Sequence, residues 1–377
     1  MRIGFDGKRA VQNFTGLGNY SRYVADILCH FYPENDYVLY APKKQENKRM
    51  NLLTGQYRQL TLAYPATSFW KKLSSLWRVW GITSQLEKEG IELFHGLSNE
   101  LPLNIHKSRI KSIVTIHDLI FLRYPQYYQS IDRKIYTYKF RKACENADKI
   151  IAISECTKRD IIRYFNIPDD KIEVVYQGCD VSFTHPVTEE KKEEVRKKYQ
   201  LPDHYILNVG SIEERKNILA AVQALPMLPQ HIHIVIVGRR TGYTEKVEQF
   251  IKDNGLGERV HIISNVPFND LPAFYQSAEI FVYPSRFEGF GIPIIEALYS
   301  GTPVVAATGS CLEEAGGPDS IYVNPDDITG LADAFKQIYS NSDKRKNMVE
   351  KGREFAKRFS EKQQSEEIIN IYKKLIR

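Results

Sequence analysis

At 377 residues, 42% hydrophobic and 26% charged, the chain has the composition of a soluble globular protein and the length for two cores rather than one. No run of about 18 apolar residues suggests a membrane span, MRIGFDGKRA lacks the apolar centre of a signal peptide, and the five cysteines (Cys29, Cys144, Cys156, Cys179, Cys311) are scattered without a Cys-x-x-Cys pair, so a cytoplasmic, reducing setting is expected and a structural metal is not. Residues 1–180 hold 27 Lys and Arg against 19 Asp and Glu, and residues 181–377 hold 25 against 27; a basic first half without a nucleic-acid motif points to a phosphorylated ligand or an anionic membrane surface.

In the first half RIGF (2–5), YVLYA (37–41), LFHGL (93–97), SIVTIHDL (112–119), KIIAIS (149–154) and IEVVYQG (172–178) read as strands, with helices near 18–32, 70–89, 133–146 and 155–166. Unbroken Val- and Ile-rich strands alternating with amphipathic helices predict a parallel sheet covered on both faces. In FTGLGNYSRYV (14–24), Gly16 and Gly18 precede a helix expected from about Asn19, where free N–H groups and the helix dipole favour an anion. Ser21 stands where the dinucleotide fingerprint has its third glycine, so a phosphate-approach loop and an ordinary turn both stay open. FWKKLSSLWRVW (69–80) spaces Trp70, Leu73, Trp77 and Trp80 near a helical period among Lys71, Lys72 and Arg78. An interfacial helix on an anionic membrane and simple core or dimer packing both fit that pattern. His117 ends an apolar strand and is expected to project from the sheet's carboxyl edge; the alternative is a histidine satisfied by a nearby carbonyl. Ser154 reads as a helix N-cap.

The stretch 180–202, DVSFTHPVTEEKKEEVRKKYQLP, loses the strand pattern. The chain is therefore expected to divide into a first domain of 1–182, a connector of 183–202 with one solvated helix, and a second domain of 203–360. In the second, YILNVGS (205–211), IHIVIVG (232–238), RVHII (259–263), IFVYPS (280–285) and TPVVAA (302–307) read as strands, with helices near 217–225, 243–254, 270–278, 293–300 and 328–340. Two more helices follow within 344–376, and the last, 361–377, is expected to return to the first domain. Two doubly wound sheets facing one another would form a cleft at their carboxyl ends, where ligands bind.

NVGSIEERKN puts Gly210 at a strand end and Arg215 and Lys216 at the start of the next helix. That end of a helix disfavours an unpaired cation by a few tenths to about 1 kcal/mol, so an anion such as a diphosphate is expected there; an ordinary surface pair is the alternative. In RFEGFGIPIIEA (286–297), Glu288 lies on a loop, the amides from Gly289 to Ile292 form an anion-facing turn, Pro293 opens a helix and Glu296 sits about one turn along it. Capping explains a carboxylate in a first turn but not the Gly–Phe–Gly before it.

EGFGIPIIEALYSGTPVVA, with GSIEERKN upstream and IHDL and TGLGNYSRYV in the first half, closely resembles the retaining glycosyltransferase family 4, over nearly the whole chain and in the right order. The resemblance implies the GT-B fold, an α/β architecture of two doubly wound, Rossmann-like domains facing across a cleft. It also implies roles. Glu296 would hold ribose hydroxyls and Glu288 hydroxyls of the donor sugar. Backbone around Gly289, Phe290, Gly291 and Ile292 would meet sugar and diphosphate, and Arg215 and Lys216, beside Gly210, would neutralise the diphosphate. Gly16 and Gly18 would approach the same phosphates, His117 the donor sugar near its reacting carbon, and the backbone near Val266 the base. One departure is clear: the family commonly reads Ser-x-Pro-Glu-Val where this chain has Ser310, Cys311, Leu312, Glu313, Glu314 and Ala315.

Fixed cations and helix amides can stabilise a leaving diphosphate without a metal, and no Asp-x-Asp occurs, so no metal or other cofactor is expected. The expected reaction moves a hexosyl, first of all mannosyl, group from a GDP- or UDP-sugar to a hydroxyl of a glycan or lipid-linked acceptor. The resemblance implies front-face attack, with the acceptor proton passing to a phosphate oxygen. The alternatives are a hydrolase using Glu288 and Glu296 as its acid and nucleophile, a nucleotide-sugar epimerase of the same fold, and a non-catalytic nucleotide-sugar-binding protein.

Overall fold

The computed structural model describes residues 1–376. They divide into two compact units, Met1–Gln177 with the final helix Glu361–Ile376, and Gly178–Ser360. The first is built on β1 (Arg2–Asp6), β2 (Asp36–Tyr40), β3 (Leu60–Ala63), β4 (Leu93–Gly96), β5 (Lys111–Ile116), β6 (Lys149–Ala152) and β7 (Ile172–Val174), in the spatial order β3-β2-β1-β4-β5-β6-β7. All neighbours run parallel. Tyr37 and Leu39 join one core with Ile3 and Phe5, while Val38 and Tyr40 join another with Phe94 and Val114. Both faces of these strands are therefore buried, which is why they read as continuous apolar runs.

The second unit carries β8 (Tyr205–Val209), β9 (His233–Val237), β10 (Val260–Ile263), β11 (Ile280–Tyr283), β12 (Val304–Ala307) and β13 (Ile321–Val323), ordered β10-β9-β8-β11-β12-β13 and again parallel. Strand order reverses at β1/β4 in one unit and at β8/β11 in the other, the points where open sheets form ligand crevices. β3 and β13 are additions to the sequence reading. Each is a short edge strand with half-exposed residues, so neither offers an unbroken apolar run.

Residues 183–202 are an integral part of the second unit rather than a connector between two. Their helix, Glu189–Tyr199, buries Val195 and directs Lys191 and Lys198 onto Asp270, at 3.0 and 2.8 Å. One inward apolar residue in eleven was too little to show as a packed face. Ser154 caps the helix Glu155–Phe165, accepting the Thr157 N–H at 3.0 Å.

The helix expected over 70–89 is broken into Ser68–Lys72, Ser74–Leu76, a wide π turn Trp77–Gly81, and Ile82–Lys88. Gly81 lies under the Trp70 ring, where a Cβ would come within 2.6 Å of it. Trp77 is fully buried and donates its Nε1–H to Gln85 at 3.1 Å. Arg78 turns inward, bonding Asp6 at 3.1 Å and Glu100 at 2.6 Å, so it is not one of an interfacial helix's outward cations. Phe69, Leu73, Leu76 and Trp80 stay exposed beside Lys71 and Lys72. Among the described residues no helix is long and apolar enough to cross a membrane, and all five cysteines are buried.

The final helix packs on the helix Gly16–Phe31 of the first unit. Tyr372 places its hydroxyl 2.6 Å from His95 Nδ1, His95 Nε2 lies 2.8 Å from the Thr115 hydroxyl, and Tyr20 meets that hydroxyl at 3.2 Å. Burial pushes the His95 imidazole down to about 3, so it is neutral at physiological pH. Tyr372→Phe should leave one buried ring nitrogen without a partner and destabilise the first unit by about 1–3 kcal/mol. Urea unfolding would show this as a lower midpoint; an unchanged midpoint would mean that apolar packing alone holds the final helix.

Candidate active site

In the second unit the carboxyl ends of β8 and β11 bring together the charged residues that the sequence separates by about seventy positions. After β8 the chain turns at Gly210 (φ +152), passes through a single 3-10 turn, Glu214–Lys216, and enters the helix Ile218–Ala224 through Asn217 in the left-handed region (φ 54). Arg215 and Lys216 thus stand on their own turn, not inside the following helix. Asn217 Nδ2 donates to the carbonyls of Pro284 (3.3 Å) and Pro325 (2.8 Å), and the Arg286 N–H donates to the Arg215 carbonyl at 2.9 Å. These bonds pin the turn to the end of β11. Gly210 is needed twice over, for its φ and because a Cβ would lie 3.1 Å from Lys216 Nζ.

Glu288 receives both cations. Arg215 Nη1 lies 2.8 Å from its Oε2 and Lys216 Nζ 3.4 Å from its Oε1. The Tyr283 hydroxyl donates to Oε1 at 3.2 Å and accepts from Lys216 Nζ at 3.0 Å. Burial by itself would push the Glu288 carboxyl up, but Lys216 and then Arg215 outweigh it and hold it at about 2, so it is ionised at neutral pH. Burial likewise opposes the charge on Arg215 and Lys216, and Glu288 more than reverses this in both. The two cations therefore have an internal anion, and an external one is not required to explain them. A second carboxylate, Glu213, lies 3.7 Å from Arg215 Nη2, so the cluster as a whole sets two cations against two carboxylates.

Four residues beyond Glu288 the helix Ile292–Ser300 begins, with Gly291 at its N-cap (φ +144). Among the described residues the amides of Gly291 and Ile292 have no acceptor, Pro293 has no N–H, and the Ile294 N–H turns back to the Gly291 carbonyl at 2.9 Å. The positive end of this helix thus opens beside the triad. Gly289 and Phe290 lead into it, Phe290 packing edge-on to Phe359 with ring centres 5.5 Å apart. Cys311, in the segment that departs from the family pattern, directs its Sγ at the carbonyls of Glu288 (3.0 Å) and Phe290 (2.8 Å). A thiol thereby ties down the loop. The Glu314 N–H donates to the Cys311 carbonyl at 3.1 Å, and Glu313 accepts from the Thr308 hydroxyl (2.6 Å) and the Gly309 N–H (2.9 Å).

Glu296, one turn into the helix, has a different environment. Its Oε2 accepts the Tyr275 hydroxyl at 2.7 Å. Burial, reinforced by Asp180, raises its carboxyl to about 7 in spite of that bond. Val266 follows the left-handed Asn265 (φ 60) in the loop after β10, and its N–H and C=O bond to no other described residue.

In the first unit Gly16 and Gly18 lie within the helix Gly16–Phe31, which starts three residues before the expected Asn19. Gly16 faces open space, whereas a Cβ at Gly18 would stand 1.9 Å from the Asn13 carbonyl oxygen. Gly18 is thus demanded by chain packing, and of the pair only Gly16 leaves room for a ligand. His117 is buried, donates Nε2–H to the Leu97 carbonyl (2.9 Å), accepts from the Gln177 amide at Nδ1 (3.2 Å) and stands edge-on to Tyr20. Burial lowers its imidazole to about 4. It is the satisfied, neutral histidine of the two readings, and only the edge facing Gln177 can be exchanged for another partner. Tyr275, Tyr283, Asn217 and Cys311 escaped the sequence reading; Tyr283 alone left a trace there, as a phenol at the carboxyl end of an apolar strand.

The low pKa of Glu288 adds stability above the ordinary carboxyl range, and this is lost as pH falls toward about 2. In Lys216→Ala the loss should begin at higher pH, so the acid-unfolding midpoint followed by circular dichroism should move up. A midpoint identical to wild type would show that Arg215 alone holds the carboxylate.

Residues 189–355 match the family model described as glycosyl transferases group 1, and residues 21–183 match glycosyltransferase family 4. The O-antigen chain mannosyltransferase B of Escherichia coli is 31% identical over 289 residues, 75% of this chain and 74% of that one. The O-antigen chain mannosyltransferase RfbU of Salmonella typhimurium is 29% identical over 225 residues, 60% of each chain. Among solved structures, Anabaena HepE in complex with UDP superposes with a TM-score of 0.79 at 17% identity, covering 100% of both chains; the same protein has also been solved with UDP-glucose. At that identity the likeness shows the fold alone. With both halves matched in order and a relative similar over three quarters of its length, the chain belongs to glycosyltransferase family 4 and is a glycosyltransferase of the GT-B fold.

Proposed function

We propose that the chain is a retaining, metal-independent hexosyltransferase that moves a mannosyl group from a nucleoside-diphosphate sugar, GDP-mannose before UDP-sugars, to a hydroxyl of a glycan or lipid-linked acceptor during polysaccharide assembly. The observation that carries this is the pair of fixed cations, Arg215 and Lys216, converging on Glu288 beside an open helix N-terminus. Both relatives named above are mannosyltransferases, which supports the sugar, and HepE holds UDP and UDP-glucose, which supports the donor class. The enzyme works at the cytoplasmic face of a membrane in this reading. The exposed Phe69, Leu73, Leu76 and Trp80, with Lys71 and Lys72, would meet its anionic surface.

In this mechanism the diphosphate faces Arg215, Lys216 and the amides of Gly291 and Ile292, so it competes with Glu288 for both cations. Glu288, released from them in part, accepts hydroxyls of the sugar. Glu296 with Tyr275 holds the ribose, and the backbone of Val266 meets the base. As the glycosidic bond breaks, charge grows on a diphosphate whose counter-charges are already fixed, so little reorganisation is needed. The acceptor hydroxyl attacks from the same face and passes its proton to a phosphate oxygen. Glu288 is taken up by hydroxyls of the sugar in this reading and His117 has both ring nitrogens engaged, which supports phosphate over either side chain as the proton acceptor.

Arg215→Ala or Lys216→Ala should lower kcat by about 10²–10³, measured with radiolabelled GDP-mannose in the presence and absence of a chelator. Isomerised donor without transfer would point to an epimerase, binding without turnover to a sensor, and an inverted anomer in the product would end the retaining mechanism. Activity abolished by the chelator and restored by a divalent ion would end metal independence.

Because ribose hydroxyls are best accepted by the ionised form of Glu296, nucleotide affinity should rise with pH through about 7, the value to which burial has raised this carboxyl. Glu296→Gln should bind roughly tenfold more weakly and without that pH dependence. Calorimetric titration with GDP at several pH values distinguishes this from a flat profile, which would remove Glu296 from the ribose.

A further inference from the structure

A second pocket, of about 430 Å³, lies wholly within the first unit and is lined by none of the residues assigned to the donor. Its apolar walls are Val79 from the π turn, Leu101 and Leu103 from the segment after β4, and Ile135 and Tyr138 from the helix Ser130–Asn146. Lys134 and Lys139 stand at its edge. We propose that this pocket takes the apolar chain of a phosphate-headed lipid, the lipid portion of the acceptor, with the headgroup on Lys134 and Lys139. The inference rests on the reading that the acceptor is lipid-linked.

The pocket is a built feature of the fold, in the size range of ligand sites. The Leu103 N–H donates to the Val79 carbonyl at 2.9 Å, Asn104 Nδ2 to the Trp80 carbonyl at 3.0 Å, and Asn146 Nδ2 to the Leu103 carbonyl at 3.1 Å. Hydrogen bonds therefore fix both the π turn and the helix to the segment between them. Arg78, on the same turn, is locked onto Asp6 and Glu100.

The helix that walls it with Ile135 and Tyr138 is apolar where a water-facing surface would be polar. Ile131, Ile135 and Tyr138 share one helix face and are 65%, 45% and 56% exposed. Single exposed apolar residues need no explanation, but a row of them continuous with an apolar hollow marks a binding surface. Charge selects the occupant. The helix carries Arg133, Lys134, Lys139, Arg141 and Lys142 against Asp132 and Glu145, and Lys142 is already paired with Glu145 at 2.7 Å. Glu100, the one carboxylate lining the pocket, is committed to Arg78, with Lys139 at 3.6 Å. A hollow with apolar walls and a surplus of ammonium groups at its mouth fits an apolar chain ending in phosphate, and fits a neutral lipid less well.

The test titrates the full chain with farnesyl phosphate, farnesol and inorganic phosphate by calorimetry. Farnesyl phosphate should bind, farnesol roughly tenfold more weakly, and inorganic phosphate not measurably in the same range. Ile135→Glu and Lys134→Glu alter exposed side chains, and each should weaken farnesyl phosphate roughly tenfold, with thermal melts confirming that both variants fold. No binding to wild type, or binding indifferent to both substitutions, overturns the assignment. Flotation with phosphatidylglycerol vesicles without binding of farnesyl phosphate would make this surface a bilayer contact and likewise overturn the pocket. Turnover of GDP-mannose by the wild-type chain, read in parallel, separates the two levels: turnover without farnesyl phosphate binding sinks the pocket alone, whereas absence of turnover sinks the GDP-mannose reading beneath it.

Discussion

The second unit is organised around one interaction, the buried carboxylate of Glu288 held between Arg215 and Lys216. Removing charges from water costs several kcal/mol per ion, and only close geometry with further hydrogen bonds offsets it. The surroundings supply that geometry. Gly210 clears space for the lysine, Asn217 and Arg286 fasten the cationic turn to the end of β11, and Tyr283 bonds both sides of the pair. Cys311 fixes the carbonyls on either side of Gly289. A hydrophobic cluster of equal volume would hold these loops as well, so the reason to keep charges here lies in the ease with which a carboxylate can be exchanged for another anion.

The first unit has a comparable network. At its own reversal of strand order, Arg78 bridges Asp6 at the end of β1 and Glu100 in the segment after β4. Here a guanidinium stands between two carboxylates, with Lys139 3.6 Å from Glu100, and in the second unit a carboxylate stands between two cations, with Glu213 3.7 Å from Arg215. Both networks follow from one topological fact. Where strand order reverses, the connections from adjacent strands leave to opposite faces of the sheet, and the crevice left at the carboxyl edge is neither core nor open surface. Charged groups settle there only in mutually satisfied sets. The first set locks the π turn that walls the pocket of the first unit, and the second holds two cations beside an open helix N-terminus.

How much of this was legible in the sequence depended on the kind of signal. Interior strands such as β5 and β9 are buried on both faces and announce themselves as apolar runs; β3 and β13, at the sheet edges, do not. Glu288, Arg215 and Lys216 were recognisable as chemistry-bearing residues, but their mutual contact spans about seventy positions and is set by strand order, which no local pattern encodes. Paired glycines looked equivalent, yet Gly18 answers to the Asn13 carbonyl and Gly16 to nothing in the chain. The tryptophan spacing of 70–80 suggested one amphipathic helix because periodicity cannot see a π turn, which inserts a residue and sends Arg78 inward. The run 183–202 looked like a solvated connector because its buried apolar residues, Phe183, Val195 and Leu201, are single and widely spaced among charged ones, and so form no periodic apolar face.

Glu288 and Glu296 illustrate the remaining gap most sharply. In the sequence they are two acids eight positions apart, and a hydrolase would use such a pair as acid and nucleophile. Folding gives them opposite protonation tendencies. Glu288 faces two cations and stays ionised down to about pH 2, while Glu296 faces Tyr275 and apolar walls and is half protonated near 7. In each case burial pushes the carboxyl up, and the difference lies chiefly in whether cations stand opposite, with Asp180 adding to the rise at Glu296. The raised acid accepts a hydroxyl from Tyr275 and has no positive partner to lose, so a hydroxyl-bearing ligand can join it without breaking an ion pair. The depressed acid can meet a ligand only if that ligand brings an anion to occupy the cations in its place. A molecule bearing a diphosphate and hydroxyls on either side of it meets both conditions at once, and that is the composition of a nucleotide sugar.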